Sequence, residues 1–244
     1  MSAISPSSFP PTQWTRIVQA GHGTPAERQA ALEHLCADYW YPLYVFARRR
    51  GASHEDAEDL TQGFFRYLLE RDLVAGADRE LGRLRTFLLT AFQRMMGDVR
   101  QRDHAKKRGG GQEMVPLDTA EAESRYSSEP DGFATPEAHY DRSWAMEVLH
   151  SALGDLRDAE QAGGKGEIFA VLETFLSPSD VADADYGAAA TELGLSSTAV
   201  RKAVSRLRAR FRDGLRDRIG ATLNEPTPER VDGELAALQA ALRN

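Results

Sequence analysis

Residues 186–208 read YGAAATELGLSSTAVRKAVSRLR: a short apolar segment, a break at Gly194 and a longer basic segment. The apolar side chains of the longer segment recur at steps of four, three, four and four residues: Val200, Val204, Leu207, Phe211 and Leu215. That spacing places them on one face of a helix. A short helix, a tight turn with glycine and a second helix are typical of the helix-turn-helix. We therefore expect this motif here.

Polar residues at the start of the second helix suit it to the major groove of DNA. Such helices approach base edges with their N-terminal end, which here has Ser196, Ser197, Thr198, Arg201 and Lys202. Ser205 follows, and the next arginines suit phosphates, which position a protein without specifying sequence: Arg206, Arg208, Arg210 and Arg212. The alternative is a structural helix pair with a basic exposed face. The turn spacing favours DNA binding.

The whole composition is typical of an all-α protein. The chain has 35 Ala and 25 Leu against 11 Val and 4 Ile, and no segment alternates apolar and polar residues long enough for a sheet. Pro42 is expected to kink the first helix or to restart it as a second one. Helical spacing predicts one helix that begins at residue 135, a tail helix from 227, and others at about 26–50, 54–70, 83–102, 167–176, 186–193 and 197–220.

We expect two helical domains joined by an acidic linker. The first domain spans residues 12–108, and the linker at 109–134 is polar, acidic and mobile or loosely docked. The second domain spans residues 135–223 and is followed by a tail helix within 224–244. The tail has one apolar line, which we expect to pack on its own domain: Val231, Leu235, Leu238 and Leu242.

Charge is distributed unevenly along the chain. The formal net charge is −7, yet residues 79–108 and 201–218 each carry a net +6, which leaves −19 on the remainder. Two basic blocks at helical positions favour contact with a polyanion. The first block also contains Phe87 and Phe92, and such a mixture suits unstacked single-stranded bases. Considered alone, those two aromatic rings are more typical of a core.

An acidic cluster occupies the first turn of the helix predicted at 54–70. Its members are Glu55, Asp56, Glu58 and Asp59. Three interpretations are open: stabilisation by the helix dipole, a metal site with His54, and docking on a basic partner. The local pattern does not choose between them.

Composition and motifs also argue against several classes of protein. The single cysteine, Cys36, cannot form an intramolecular disulfide, and no apolar run is long enough to span a membrane. The N-terminal MSAISPSSFPP lacks the features of a secretory signal, so we expect a cytoplasmic protein. Phosphate-binding loops, nucleophile elbows and paired-histidine zinc motifs are not found. We expect no enzyme, no cofactor and no metal.

Three stretches together resemble the extracytoplasmic-function sigma factors, small bacterial transcription initiation factors. They are DAEDLTQ at residues 56–62, RTFLLT at residues 85–90 and the helix-turn-helix segment at 186–208. Residues 39–108 are similar to the family's second region, and residues 186–215 are similar to its fourth. The blocks DAEDLTQGFF and KKRGGG are similar to those of an atypical subgroup of sigma-factor-like proteins.

The resemblance implies a role for each group of residues. The acidic turn would dock on the clamp helices of the polymerase β′ subunit through Asp56, Glu58, Asp59, Leu60 and Gln62. The basic helix would open and read the −10 element through Arg85, Phe87, Arg94, Asp98, Arg100 and Arg102. The helix-turn-helix would read the −35 element as duplex through Ser196, Ser197, Thr198, Arg201, Lys202, Ser205, Arg206 and Arg208.

The function implied by the resemblance is therefore that of a sigma factor with a region-2-like and a region-4-like domain. Its implied partners are core RNA polymerase (β′ clamp helices and β flap), promoter DNA, and an anti-sigma or other regulatory protein, with no membrane. Through polymerase it would associate with the nucleoid. Two alternatives stay open. One is a stand-alone helix-turn-helix regulator that dimerises on a palindrome. The other is a sigma-like adaptor that acts through protein contacts, with the tail helix as a docking stripe.

Overall fold

The computed structural model describes residues 24–70, 83–103, 119–129, 135–176 and 183–243. Nine α-helices lie in these residues: α1 (Pro25–Arg49), α2 (His54–Glu70), α3 (Leu84–Asp103), α4 (Thr119–Ser127), α5 (Pro136–Ala162), α6 (Gly166–Leu172), α7 (Asp183–Leu193), α8 (Ser197–Ala221) and α9 (Pro228–Arg243). A 3-10 turn, Glu173–Leu176, follows α6. Within this part of the chain, β-pairing is limited to one isolated bridge between Arg83 and Leu223. The predicted all-α class is confirmed.

Side-chain caps explain where several helices begin. The hydroxyl of Ser53 accepts a hydrogen bond from the Asp56 amide at 3.0 Å at the start of α2. Thr135, Ser196 and Thr227 make the same contact at the starts of α5, α8 and α9, at 3.1, 3.2 and 3.3 Å. Each cap satisfies a backbone N–H group that the helix itself leaves unpaired. These starts agree with the predicted ones to within one residue.

Helix α1 runs without interruption through Pro42. A restart of the chain at this proline, one of the two expectations, is therefore wrong. Proline removes one backbone hydrogen bond and costs a helix interior about 3 kcal/mol. The flanking residues compensate for this cost because residues 39–47 are all buried, and each large apolar side chain contributes roughly 1.5–3 kcal/mol on burial.

The described chain divides into two compact units. The first comprises the described residues of Met1–Glu147 and of Ile219–Asn244, and the second is Val148–Arg218. This division differs from the predicted one, because its boundaries fall inside α5 and α8 and not in the linker. Helix α9 belongs to the first unit, where Val231 and Leu238 are buried. The tail helix therefore packs with the N-terminal part of the chain.

Aromatic side chains dominate the core of the first unit. Helix α1 packs on α2, and α3 packs on both. Phe92 of α3 lies edge-on to Phe46 of α1 and to Phe64 of α2, with ring centroids 6.2 and 5.1 Å apart. Trp144 and Tyr140 of α5 are also fully buried in this unit. The three helices of the predicted region-2-like segment therefore share one core.

The predicted acidic linker is helical where the structure describes it. Glu123 of α4 pairs with Arg48 of α1 at 2.8 Å and accepts a hydrogen bond from the Tyr44 hydroxyl. The Tyr126 ring lies edge-on to Tyr44, with Arg48 over its face at 4.8 Å. Residues 119–127 of the predicted linker are therefore helical, and these side chains dock them on α1. The remainder of 109–134 lies outside the described residues.

The second unit has its own apolar core. The face of α8 predicted from the sequence is turned into it: Val200, Val204 and Leu207 are buried, and Phe211 is partly buried. The other members come from the end of α5, from α6 and the 3-10 turn, and from α7: Leu156, Phe169, Leu172, Phe175, Ala189 and Ala190. With its apolar side buried, α8 has its polar side free to face solvent.

Gly194 makes the turn between α7 and α8, with a φ of 64°. We predict that Gly194→Ala destabilises the protein by about 1–2 kcal/mol, since other residues are strained in the left-handed region. Gly187→Ala is the matched control, because Gly187 lies inside α7 and an added Cβ meets nothing within 4 Å at either position. At position 187, alanine should raise the free energy of unfolding by about 0.5–1 kcal/mol.

Urea unfolding followed by circular dichroism measures both changes. Equal stabilities for the two alanine variants would contradict the assignment of Gly194 as a conformational requirement of this turn.

Candidate nucleic-acid interface

The N-terminal half of α8 presents a continuous polar surface. Seven of the eight residues predicted to read duplex DNA are exposed. They are Ser196, Ser197, Thr198, Arg201, Lys202, Ser205 and Arg206. The structure brings them together because the apolar side of α8 is buried in the second unit. We define these seven residues as the α8 surface.

Two contacts order the start of the α8 surface. Ser196 is the capping residue of α8, so its hydroxyl is held by the Ala199 amide. The guanidinium of Arg201 lies 4.4 Å from the centre of the Tyr186 ring on α7. A cation above an aromatic face is attracted by about 0.5–1 kcal/mol at an exposed site. Arg201 is therefore positioned by α7 while it remains exposed.

Arg208 differs from the other predicted residues of α8. Its Nε and Nη2 atoms donate hydrogen bonds to the carbonyl oxygen of Phe175 at 3.0 and 2.8 Å. The Arg208 guanidinium thereby satisfies the Phe175 carbonyl group of the 3-10 turn, as cationic side chains do at the C-terminal ends of helices. Arg208 therefore has a structural partner within the second unit, and its contact with DNA stays a prediction. Arg210 is also engaged, because it pairs with Glu160 of α5.

Arg85, the first residue predicted to read the −10 element, is buried in the first unit. Its Nε atom donates to Glu234 of α9 at 2.5 Å, and Nη1 donates to Asp141 of α5. Arg83 also pairs with Glu234, at 3.0 Å. The Trp144 ring lies 4.8 Å from the guanidinium of Arg85. We name Arg83, Arg85, Asp141 and Glu234 the α3–α9 ion cluster.

The ion cluster keeps Arg85 charged although it is buried. Burial by itself lowers the pKa of an arginine, but the hydrogen bond and charge of Glu234, with the charge of Asp141, outweigh burial and raise the pKa of Arg85. Burial raises the pKa of the Asp141 carboxyl, and the nearby Arg85 only partly offsets this effect. The Glu234 side chain is 1% exposed. A carboxylate at that depth requires its cationic partners.

The other residues of the predicted −10 set are divided along α3. Phe87 is 8% exposed, so it belongs to the core in this structure, while Arg94 and Asp98 are exposed. Arg100 and Arg102 belong to α3, and their side chains lie outside the described part. In this structure Arg85 and Phe87 are interior residues, and Arg94 and Asp98 are the members of the set whose side chains are both described and exposed.

A sequence signal for the ion cluster exists and was missed. Arg85 stands three residues before Leu88 and seven before Phe92, which is the spacing of a buried face. Glu234 likewise lies three residues after Val231 and four residues before Leu238, so the three share one face of a helix. Opposite charges on two apolar stripes are typical of residues that pair in an interior.

The acidic turn of α2 is a solvent-facing surface. Asp56 and Asp59 are exposed, and Leu60 and Gln62 are partly buried. Gln62 donates a hydrogen bond to Glu58 at 3.0 Å, which fixes both side chains one helical turn apart. The structure thus brings the five predicted polymerase-binding residues together on α2.

His54, the ligand considered for a metal in this turn, is engaged elsewhere. Its Nδ1 atom lies 2.8 Å from the Tyr44 hydroxyl and 3.6 Å from Glu123 of α4. Within the described residues, His, Cys, Asp and Glu side chains form no group of three or more that could hold a metal ion.

Comparison of the chain with protein-family models, with curated proteins and with solved structures returned no match. Among the helices that the structure describes, none combines the length and the apolar character needed to cross a membrane.

We predict that Glu234→Ala destabilises the protein by about 3–5 kcal/mol, because Arg83 and Arg85 then lose their buried carboxylate partner. Glu225→Ala is the matched control, since Glu225 pairs with Arg230 at 3.0 Å where both side chains are more than half exposed. Exposed pairs contribute about 0–1 kcal/mol. Chemical denaturation of the two variants measures the difference, and equal losses would contradict the buried cluster.

Proposed function

We propose that this protein is a sigma factor of the extracytoplasmic-function type. The observation that carries the proposal is the α8 surface, where seven polar residues follow a glycine turn on the exposed side of a helix. It supports a region-4-like unit that reads duplex DNA, since recognition helices place such residues on base edges. The acidic turn of α2 supports the second half of the proposal, attachment to RNA polymerase.

The proposed mechanism involves no covalent chemistry. Asp56, Glu58 and Asp59 attach the protein to the β′ clamp helices, with Leu60 and Gln62 completing the contact surface. The α8 surface selects the upstream duplex. The C-terminal half of α3, with Arg94 exposed, meets the melted −10 strand, where positive charge follows the backbone of single-stranded DNA. The β flap of the polymerase is the proposed partner of the second unit.

The charge distribution supports dependence on polymerase. The residues outside the two basic blocks carry a net −19, which repels a free nucleic acid at long range. Within the basic block of α8, Arg208 and Arg210 are already engaged by protein groups. We therefore propose that specific promoter recognition occurs in the complex and not in the isolated chain.

Packing of the tail helix bears on the adaptor alternative. That alternative uses the apolar line of α9 as a docking stripe for other proteins. Val231 and Leu238 of this line are 3% and 2% exposed, whereas Leu235 and Leu242 are partly buried, so two of its four side chains are already covered within the first unit. A cytoplasmic, non-enzymatic role with an anti-sigma or other regulatory partner remains part of the proposal.

We predict that Asp56→Ala with Asp59→Ala weakens binding to purified core polymerase about tenfold or more, which corresponds to about 1.4 kcal/mol for two interface charges. Asp158→Ala with Glu167→Ala is the matched control, because it removes two exposed carboxylates from the second unit. Surface plasmon resonance with immobilised core enzyme measures both. If wild-type protein shows no binding, or if the control loses as much affinity, the proposed attachment is wrong.

We further predict that Lys202→Glu reduces promoter binding by the polymerase complex about tenfold and lowers its salt dependence, because a phosphate or base contact becomes a repulsion. Lys165→Glu is the matched control, since Lys165 is an exposed lysine of the same unit outside the α8 surface. Fluorescence anisotropy with duplex promoter DNA at several salt concentrations measures both changes. Unchanged binding for Lys202→Glu favours the adaptor alternative.

A further inference from the structure

The Glu234 carboxylate of α9 binds two arginines at the start of α3, Arg83 and Arg85, as an external anion would. Its two carboxylate oxygens meet the Nε atom of Arg85 at 2.5 Å and the Nε atom of Arg83 at 3.0 Å. Guanidinium groups bind carboxylate and phosphate oxygens with the same planar geometry. Arg85 belongs to the set that the resemblance to sigma factors assigns to the −10 element, and in the structure a side chain of the same protein holds it.

We propose that α9 is an internal competitor of DNA: its Glu234 carboxylate occupies the Arg83–Arg85 pair that binds a backbone phosphate of the melted promoter strand. The inference rests on the proposed function and adds a regulated state to it. With α9 docked, Arg94 and Asp98 are exposed on α3 while Arg85 is buried. When α9 leaves, Arg83 and the Glu234-facing edge of Arg85 become available for a phosphate.

The attachment of α9 suits a helix that can leave. Its buried residues are Val231, Glu234 and Leu238. In its last turn, Arg142 donates a hydrogen bond to the carbonyl oxygen of Leu242 at 3.4 Å. A helix that docks through one face with two apolar side chains and one charge is released more easily than a core helix. Asp141 keeps Arg85 charged in either state.

Arg83 gives a competing phosphate a point of entry. Its side chain is 46% exposed while Glu234 is 1% exposed. An anion can therefore reach Arg83 from solvent before Glu234 has left. Exchange of one anion for another on the same cations avoids a state in which buried arginines have no partner.

The test uses the full-length chain with two aspartate substitutions in α9. Leu238→Asp puts a charge at a buried position and should release the helix, whereas Ala236→Asp makes the same charge change at an exposed position. Binding is measured by anisotropy with a labelled single-stranded oligonucleotide of about 12 nucleotides at low salt. We expect about tenfold tighter binding for Leu238→Asp than for wild type, and no gain for Ala236→Asp.

Two further variants keep the test decisive. Adding Arg83→Ala to Leu238→Asp should remove the gain, because the phosphate loses its first contact. Glu234→Gln keeps the shape of the side chain and removes its charge, so it should also bind more tightly than wild type. Hydrogen exchange over residues 228–243 reports release of α9, and circular dichroism reports whether each variant is folded. If Leu238→Asp does not fold, Glu234→Gln decides the result.

The outcomes separate this inference from the proposed function. Folded variants with released α9 that bind the oligonucleotide no more tightly than wild type overturn the competition. A gain that persists with Arg83→Ala also overturns it, since that gain does not use the arginine pair. If the gain is observed but wild type never binds core polymerase, the competition stands and the sigma-factor proposal falls.

Discussion

The contact between Arg85 and Glu234 is the interaction on which the arrangement of the first unit depends. The two residues are separated by 149 positions in the chain, and their pairing brings the last helix onto the third. Glu234 is buried, so its charge is tolerable only where guanidinium groups neutralise it. Arg85 and Phe87 are both interior residues, and the exposed Arg94 and Asp98 lie further along α3.

Two surfaces remain exposed for partners, and they have opposite charge. In the acidic turn of α2, Asp56 and Asp59 are exposed, and they lie at a helix start where negative charge is favourable. The α8 surface is cationic and hydroxyl-rich, since the apolar side of that helix forms the core of the second unit. Such a division suits a protein that binds another protein with one surface and a polyanion with the other.

Local signals predicted all of the described helices except α4 (Thr119–Ser127), which was expected as linker, and they did not predict how the helices pack. Proline, glycine and hydroxyl caps marked most helix starts, and the range of α2 was predicted at His54–Glu70. The tail helix was expected to pack on its own domain, whereas α9 belongs to the first unit with the N-terminal part of the chain. The contacts of α9 with Arg85 and of α4 with Arg48 were not predicted, because these partners are distant in sequence. The bond from Arg208 to the Phe175 carbonyl was missed for a similar reason, because its acceptor is a backbone atom that no side-chain pattern reveals. A charge on an apolar stripe, as at Arg85, is the feature that sequence reasoning can use.

Promoter selection is the central claim, and run-off transcription tests it most directly. Purified core polymerase would transcribe a library of genomic fragments with and without this protein. The account predicts new transcripts with defined start sites that appear only when the protein is added. If the start sites and their intensities are the same in both reactions, the protein does not direct initiation and the claim is wrong.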